Sequence, residues 1–335
     1  MKFEKSRTGG NNLRVISVIP YTKTRNSMVF AKRQIEYLAR YGVINKTFLL
    51  TSRSSLLKLH KEFKRLRREI RSFQPDIVHA HFGTVTAFIS VMASDVPVII
   101  TFRGSDLNRS GGVNFLKWIS GHLLSQISAL KAGRIICVSE ELKKILWWKK
   151  GDAVVLPTGV DTSLFVPEDR NKARLKLGWE PDERIVLFNA GNNSVNKRLD
   201  LAESSVRLAG AIIGKISLKI LDGNTDPDEV PIYMNAADCL LLTSDKEGSP
   251  TVIQEALACN LPVISVPAGD VKERLSGVVP SIMVEREPHE ISKALVEILN
   301  APQRSNGREF IDTLSLENIT IEIVKIYNTV LESQK

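Results

Sequence analysis

The feature that narrows the fold most is an alternation of short β-rich runs and helical stretches that passes through the chain twice. LRVISVIP (13–20), KTFLLT (46–51), DIVHAH (76–81), VPVIITF (96–102), RIICVS (134–139) and AVVLP (153–157) are separated by amphipathic segments, the first of them a helix near 28–41. DTSLFVPEDRN (161–171) reads as a linker. The alternation then restarts with RIVLFNA (184–190), ISLKIL (216–221), DCLLLTS (238–244), LPVISV (261–266) and SIMVE (281–285). Val/Ile/Leu-rich strands alternating with helices predict parallel sheets covered on both faces. Two such series in 335 residues predict an α/β protein of two Rossmann-like, doubly wound domains facing across a cleft. The expected division is 1–165, 166–315 and a C-terminal helix in 316–335, for which the first domain is a surface to pack back on.

In open α/β sheets ligands bind beyond the carboxyl ends of the strands, so polar residues at those ends are the candidates. They are His79 and His81, Arg103-Gly104-Ser105-Asp106, Ser139, Asn189 to Lys197, Asp222 to Asn224, Ser244 to Ser249, and Gly269-Asp270. The most specific segment is SDKEGSPTVIQEALACNLPVIS (244–265), a strand end, a Gly-Ser-Pro turn, a helix and another strand. Pro250 suits a first helical turn and Ser249 a cap. The helix start would then aim free N–H groups and its positive end at a phosphate. Glu255 is placed to accept hydrogen bonds from vicinal hydroxyls, and Glu247 stands on the other side of the phosphate position. One acid for a sugar, a helix end for phosphates and one acid for a ribose describe a nucleotide-sugar site. Two solvated glutamates beside an ordinary capped helix describe the same residues without any ligand, and spacing alone does not choose between these.

EGSPTVIQEALACNLPVI (247–264) resembles the glutamate-x7-glutamate signature of retaining family 4 glycosyltransferases. IYMNAADCLLLTS (232–244) is similar to the stretch before that signature, VLPTGVDTSLFVP (155–167) to the interdomain segment, and VSEELKKIL (138–146) to the helix preceding it. DIVHAHFG (76–83) and VIITFRGSD (98–106) are similar to motifs of the first domain. The resemblance runs from about residue 13 to about 330 and implies the GT-B fold. It implies a nucleoside-diphosphate-sugar donor as co-substrate, no cofactor and no metal, and transfer with retention to a saccharide or lipid-linked acceptor. It places the donor sugar hydroxyls on Glu247, the ribose on Glu255, and the diphosphate on Lys197 and the Gly248-Ser249-Pro250-Thr251 backbone. The family carries an Arg five positions before that Lys; here Asn192 stands in its place, and Arg198, next to Lys197, projects elsewhere from a helix. YTKTRNSM (21–28) replaces the family's Gly-rich loop, with Asn26 and Ser27 as local candidates. The stretch after ISLKIL is short, so the base is not read, and DPD (226–228) is a poor metal motif.

On the acceptor side, His81 is a candidate for the cleft, with His79 one position deeper on the same face. Arg103 occupies a place where many relatives carry a histidine, and suits a phosphate or carboxylate. With Gly104 and Ser105 it forms the candidate acceptor loop. Asp106 could orient an acceptor hydroxyl or accept its proton; capping a helix or pairing with Arg109 are equal alternatives. SSLLKLHKEFKRLRREIRSF (54–73) is an amphipathic helix whose stripe of Leu56, Leu59, Phe63, Leu66, Ile70 and Phe73 is flanked by seven cations. It either packs on the sheet with a solvated basic face or docks on anionic lipid, with Trp147-Trp148-Lys149-Lys150 extending the surface.

Charge separates the halves: residues 1–165 carry 27 Lys and Arg against 11 Asp and Glu, a balance of +16, within a chain of net +9. A basic half suits an anionic membrane, an anionic lipid-linked acceptor or nucleic acid. Nucleic acid is disfavoured by an aromatic content of 6% and the absence of RRM, KH or zinc-finger patterns. Cys137, Cys239 and Cys259 are far apart beside apolar runs, which suits buried thiols in a reducing compartment. With a polar N-terminal stretch and no apolar run of about 20 residues, the expectation is a cytoplasmic protein, peripheral to the inner membrane face at most. No P-loop, GxGxxG, GxSxG elbow or metal-spaced histidines occur. Two other readings use the same features: a sugar-nucleotide hydrolase or epimerase on the same architecture, and a non-catalytic basic protein binding membrane or nucleic acid.

Overall fold

The computed structural model describes residues 12–22, 28–52, 55–109, 113–191 and 193–334. The first domain runs β1 (Arg14–Pro20), α1 (Val29–Arg40), β2 (Ile44–Leu50), α2 (Leu56–Phe73), β3 (Ile77–Ala80), α3 (Thr84–Ala93), β4 (Val98–Phe102), α4 (Phe115–Lys131), β5 (Arg134–Cys137), α5 (Glu140–Ile145) and β6 (Val154–Val155). The second runs α6 (Arg170–Leu177), β7 (Arg184–Gly191), α7 (Ser194–Lys197), α8 (Leu199–Ile213), β8 (Ile216–Asp222), α9 (Val230–Ala236), β9 (Cys239–Leu242), α10 (Thr251–Ala258), β10 (Val263–Ser265), α11 (Val271–Arg274), β11 (Ile282–Met283) and α12 (Pro288–Asn300). A final helix, α13 (Leu316–Glu332), follows.

Both sheets are parallel, ordered β2-β1-β3-β4-β5-β6 and β8-β7-β9-β10-β11. Counted within each domain the orders begin alike, 2-1-3-4-5. The direction of winding therefore reverses between the first and third strands, which opens a crevice at the carboxyl ends of β1 and β3, and of β7 and β9. The inner strands carry near-continuous aliphatic runs because each sheet is covered twice, whereas the edge strands β2 and β8 are partly exposed and mix in polar residues. Val18, Val78, Ile100 and Ile135 face α2, α3 and α4, while Val15, Ile77, Ile99 and Ile136 face the other side. That other side is closed partly by α13, whose Ile319, Ile323, Ile326 and Tyr327 join the first domain's core. The chain crosses between domains at two adjacent points. Val160 N–H donates to Leu314 O (3.0 Å) and Leu316 N–H to Val160 O (2.7 Å), so the two crossings are tied side by side.

The apolar stripe of α2 divides. Leu66 and Ile70 are buried and Leu59, Phe63 and Phe73 pack against the core, but Leu56, the first residue of the helix, is 85% exposed. Cys137, Cys239 and Cys259 are buried free thiols. Among the described residues no helix is long and apolar enough to cross a membrane.

Candidate active site

The crevice of the second domain is framed by the turn after β7 and the turn after β9. The first is built on a short capped helix. Asn193 Oδ1 accepts from Asn196 N–H, and Asn196 Nδ2 donates across to Lys246 O (3.0 Å). Asp245 N–H donates to Asn196 O, and the Thr243 hydroxyl contacts the carbonyls of Lys197 and Arg198. These bonds strap the two turns together and bring Lys197 Nζ to 2.6 Å from Glu247 Oε1. The pair is about four-fifths buried, so its attraction is far less screened than that of a surface pair. Arg198 takes a left-handed backbone (φ 56°) that turns its guanidinium to Asp200 and Asp245, away from the pair. Asn192, with Asn26 and Ser27, lies outside the described residues.

The helix start differs in detail from the expectation. α10 begins at Thr251, Pro250 is the residue before the first turn, and no side chain caps this end. Ser249 is not the cap: its hydroxyl is 2.8 Å from Asp270 Oδ2 and takes a bond from Gln254 Nε2 (3.1 Å). The reason is geometric, since Asp270 and Gln254 sit behind the turn and hold Ser249 inward at 8% exposure. The amide end of α10 is thus not plugged by the protein's own side chains, and partial positive charge is left there. Gly248 is pressed between domains. A Cβ on it would lie 2.5 Å from Arg103 O, and a Cβ on Gly269 (φ 58°) would lie 2.5 Å from Gly248 O. Three backbone segments meet there at a spacing only glycine permits.

Two adjoining cavities share Phe30, Asn189 and Thr251 in their walls. One, about 180 Å³, lies at the start of α10 between Lys197, Glu247 and Arg103. The other, about 210 Å³, continues past Glu255 to the ends of β7 and β8, where Asp222, Gly223 and Thr225 face Arg33 and Phe165. Burial pushes the Glu255 carboxyl up to about 7, against the pull of Arg33 and Lys197 in the other direction. Arg33 comes from α1 of the first domain. It donates to Asp228 Oδ1 (2.8 Å) and Pro227 O (3.1 Å) and spans the cavity mouth. Sequence reading missed Arg33; the available signal was its position in the first turns of the helix after β1, at a switch point.

The first domain's crevice is filled by the protein itself. Arg103 uses four of its five N–H groups internally, on His81 O, His81 Nδ1, Thr158 Oγ1 and Gln34 Oε1, with Phe30 under the guanidinium at 4.6 Å. Because Arg103 can only donate, His81 Nδ1 must accept, which leaves the Nε2 proton for Ser17 Oγ at 3.2 Å. His81 is fully buried, its pKa driven well below the usual histidine range by burial, then by His79 and Arg103. It does not reach the cleft as a titrating group, contrary to its expected catalytic place. His79 stacks on it at 4.0 Å and bonds Tyr327 and Thr101, each at 2.7 Å.

Asp106 likewise departs from the acceptor role. At 1% exposure its carboxylate accepts from the N–H groups of Gly83, Arg103 and Gly104 at 2.8–3.1 Å. Burial lifts its pKa even against those amides. The tight turn of residues 103–106 supplies so many inward amides that a buried carboxylate is their natural partner. Gly104 is buried against Gly248, and Ser105 is exposed. The structure therefore gathers Lys197, Glu247, Glu255, residues 249–251 and Arg103 around one trough, with Gly248 packed just behind it, and leaves His81 and Asp106 out of it.

Two parallel-sheet domains meeting at such a trough define the GT-B class, and solved structures agree on the fold. A sucrose-phosphate synthase from Thermosynechococcus elongatus superposes with a TM-score of 0.76 at 15% identity, covering 96% of this chain and 100% of that one. HepE from Anabaena, solved with UDP and glucose, gives 0.76 at 14%, covering 95% and 100%. The model described as Glycosyltransferase Family 4 matches residues 18–164, and that described as Glycosyl transferases group 1 matches residues 182–301. The chain belongs to the family 4, group 1 glycosyltransferases. Its relatives include TuaC of Bacillus subtilis, a glycosyltransferase named for teichuronic acid biosynthesis, 29% identical over 60% of this chain and 55% of that protein. An uncharacterised glycosyltransferase of Methanocaldococcus jannaschii is 25% identical over 75% of each chain. The match to TuaC thus spans about half of that relative's length.

Proposed function

We propose that the protein transfers a sugar, with retention, from a nucleoside-diphosphate sugar to a hydroxyl of a saccharide or lipid-linked acceptor. The observation that carries this reading is the uncapped start of α10 flanked by the Lys197–Glu247 pair on one side and Glu255 on the other. A diphosphate would lie on the Gly248–Thr251 backbone beside Lys197, the sugar would meet Glu247, and the ribose would meet Glu255. HepE and its UDP-bound forms, alike in fold, favour a uridine or related nucleotide as the donor handle.

Bond cleavage builds negative charge on the leaving phosphate and positive charge at the anomeric carbon. Lys197 and the α10 amides stabilise the former without rearrangement. Retention by double displacement needs two carboxylates about 5 Å apart across the sugar. Glu247 is the sole carboxylate lining the smaller cavity among the described residues, and it is held by Lys197. That supports a front-face route, with the leaving phosphate taking the acceptor proton. Hexose transfer, independence from metal and a role in polysaccharide assembly belong to the same proposal. Glu247→Ala should lower turnover on the order of 10³-fold while nucleotide affinity stays within about twofold. Normal turnover by that variant rejects the assignment, and rapid nucleotide release without any acceptor points instead to a hydrolase or epimerase.

A further inference from the structure

Outside the trough, α4 is built inside out. Its inward face carries His122, Ser125, Gln126 and Ser128, and each is bonded. His122 Nδ1 meets Leu107 O (3.1 Å), Ser125 Oγ donates to Asp106 O (2.8 Å), Gln126 Nε2 donates to Ile145 O (3.2 Å), and Ser128 Oγ donates to Leu124 O (2.6 Å). Its outward face carries Phe115, Leu116, Ile119, Leu123, Ile127 and Leu130, every one more than a third exposed and Leu116 73% exposed. A helix on a protein in water turns this stripe inward, since each such side chain gains free energy by leaving water. A contiguous stripe turned outward marks a contact surface. Trp147 and Trp148 sit beside it, half exposed, Trp147 against His122 at 5.3 Å and Trp148 donating its indole N–H to Gln126 O.

The charge around the stripe selects the occupant. α4 contains no acidic residue, and from Val96 to Ser139 the one acid is Asp106, buried and engaged. Lys117 and Lys131 stand at the stripe's edges, Arg109 lies over Phe115 at 5.4 Å, and Lys149 and Lys150 follow the tryptophans. We infer that the outward face of α4, with Trp147 and Trp148, seats on an anionic lipid surface. Aliphatic side chains enter the acyl boundary, tryptophans take the interface, and the cations meet headgroups. A second copy of the chain would bring one cationic rim against another. α2, the helix whose sequence first suggests docking, has its stripe from Leu59 to Phe73 turned to the sheet and leaves only its first turn exposed, so it adds positive field but inserts little. The docking itself does not rest on the reaction proposed above.

The test is sedimentation of the full chain with vesicles of phosphatidylcholine alone or mixed with phosphatidylglycerol. Partition is expected on the mixed vesicles, at least about tenfold weaker for a Leu116→Glu, Leu123→Glu, Ile127→Glu variant and only about twofold weaker for Lys58→Gln, Lys61→Gln, Lys64→Gln. An unchanged thermal midpoint shows that the fold is intact. Should the α4 variant unfold, quenching of wild-type tryptophan fluorescence by brominated acyl chains decides: quenching supports the seat and its absence overturns it. Equal binding by wild type and the α4 variant, or no binding to either vesicle, also overturns it. A lipid-free dimer that these substitutions dissociate would make the face a contact between copies, and would overturn it as well.

Discussion

The two domains wind their sheets in the same order and differ in what stands at the switch point. In the first, the ends of β1, β3 and β4 are closed by a hydrogen-bonded set of Ser17, His79, His81, Arg103 and Gln34, of which Arg103 alone also borders the cavity, with Asp106 tying down the adjoining turn. In the second, the ends of β7 and β9 leave the α10 amides, Lys197 and Glu247 around open volume. Equal topology thus gives one crevice that acts as framework and one that can hold a ligand. A fold locates a crevice, and side chains decide whether it is filled.

The sharpest way to break this contrast is to exchange stability for activity. Asp106→Ala should leave three buried N–H groups without an acceptor and cost roughly 3–5 kcal/mol of unfolding free energy, read by denaturant titration. Lys197→Ala should instead cut turnover by about 10²-fold, roughly 2.7 kcal/mol of transition-state stabilisation, with little change in thermal midpoint. If the lysine variant loses as much stability as the aspartate variant, the division into framework and ligand crevice fails.

Glu255 sharpens the comparison through pH. A ribose gripped by its carboxylate requires the ionised form, and with its pKa near 7 only about a tenth is ionised at pH 6. Donor affinity should therefore fall about tenfold from pH 8 to pH 6, and Glu255→Gln should flatten the profile. The stability sign runs opposite. The folded pKa lies above the model-peptide carboxyl value, so the folded state binds the proton more tightly, and stability of the free protein should decline as pH rises from about 4.5 to 7. A pH-independent donor affinity in calorimetry contradicts the ribose assignment. The smallest effect belongs to Arg33→Ala. Its partner Asp228 is mostly exposed, so donor affinity should weaken only about three- to fivefold, and less at high salt.

Much of the fold was legible because parallel strands covered on both faces must be aliphatic throughout. The inner strands fall on runs such as VIITF or CLLL, while the more exposed β2 (INKTFLL) and β8 (ISLKILD) mix polar residues into theirs. The EGSPTVIQE segment was legible for a local reason, since turn, helix start and acid spacing lie within one stretch of chain. Ser249 shows where local reading stops: its cap propensity was real, but Asp270, 21 residues away, takes the hydroxyl. Arg33 and Asp228 meet across 195 positions, and Arg103 and Gln34 across 69. No spacing rule reports such pairs.

The sequence alone therefore determined which segments become strands, that they form two sheets, and which short stretch offers a helix end between two acids. Those properties follow from hydrophobic period and turn chemistry, which act over a few residues. Tertiary structure alone decided that His81 and Asp106 turn into the framework, that Arg33 reaches the second domain's cavity, and that α4 shows its apolar side outward. Each depends on what packs against a side chain from distant parts of the chain, and the burial and hydrogen-bond partners set there outweigh local propensity.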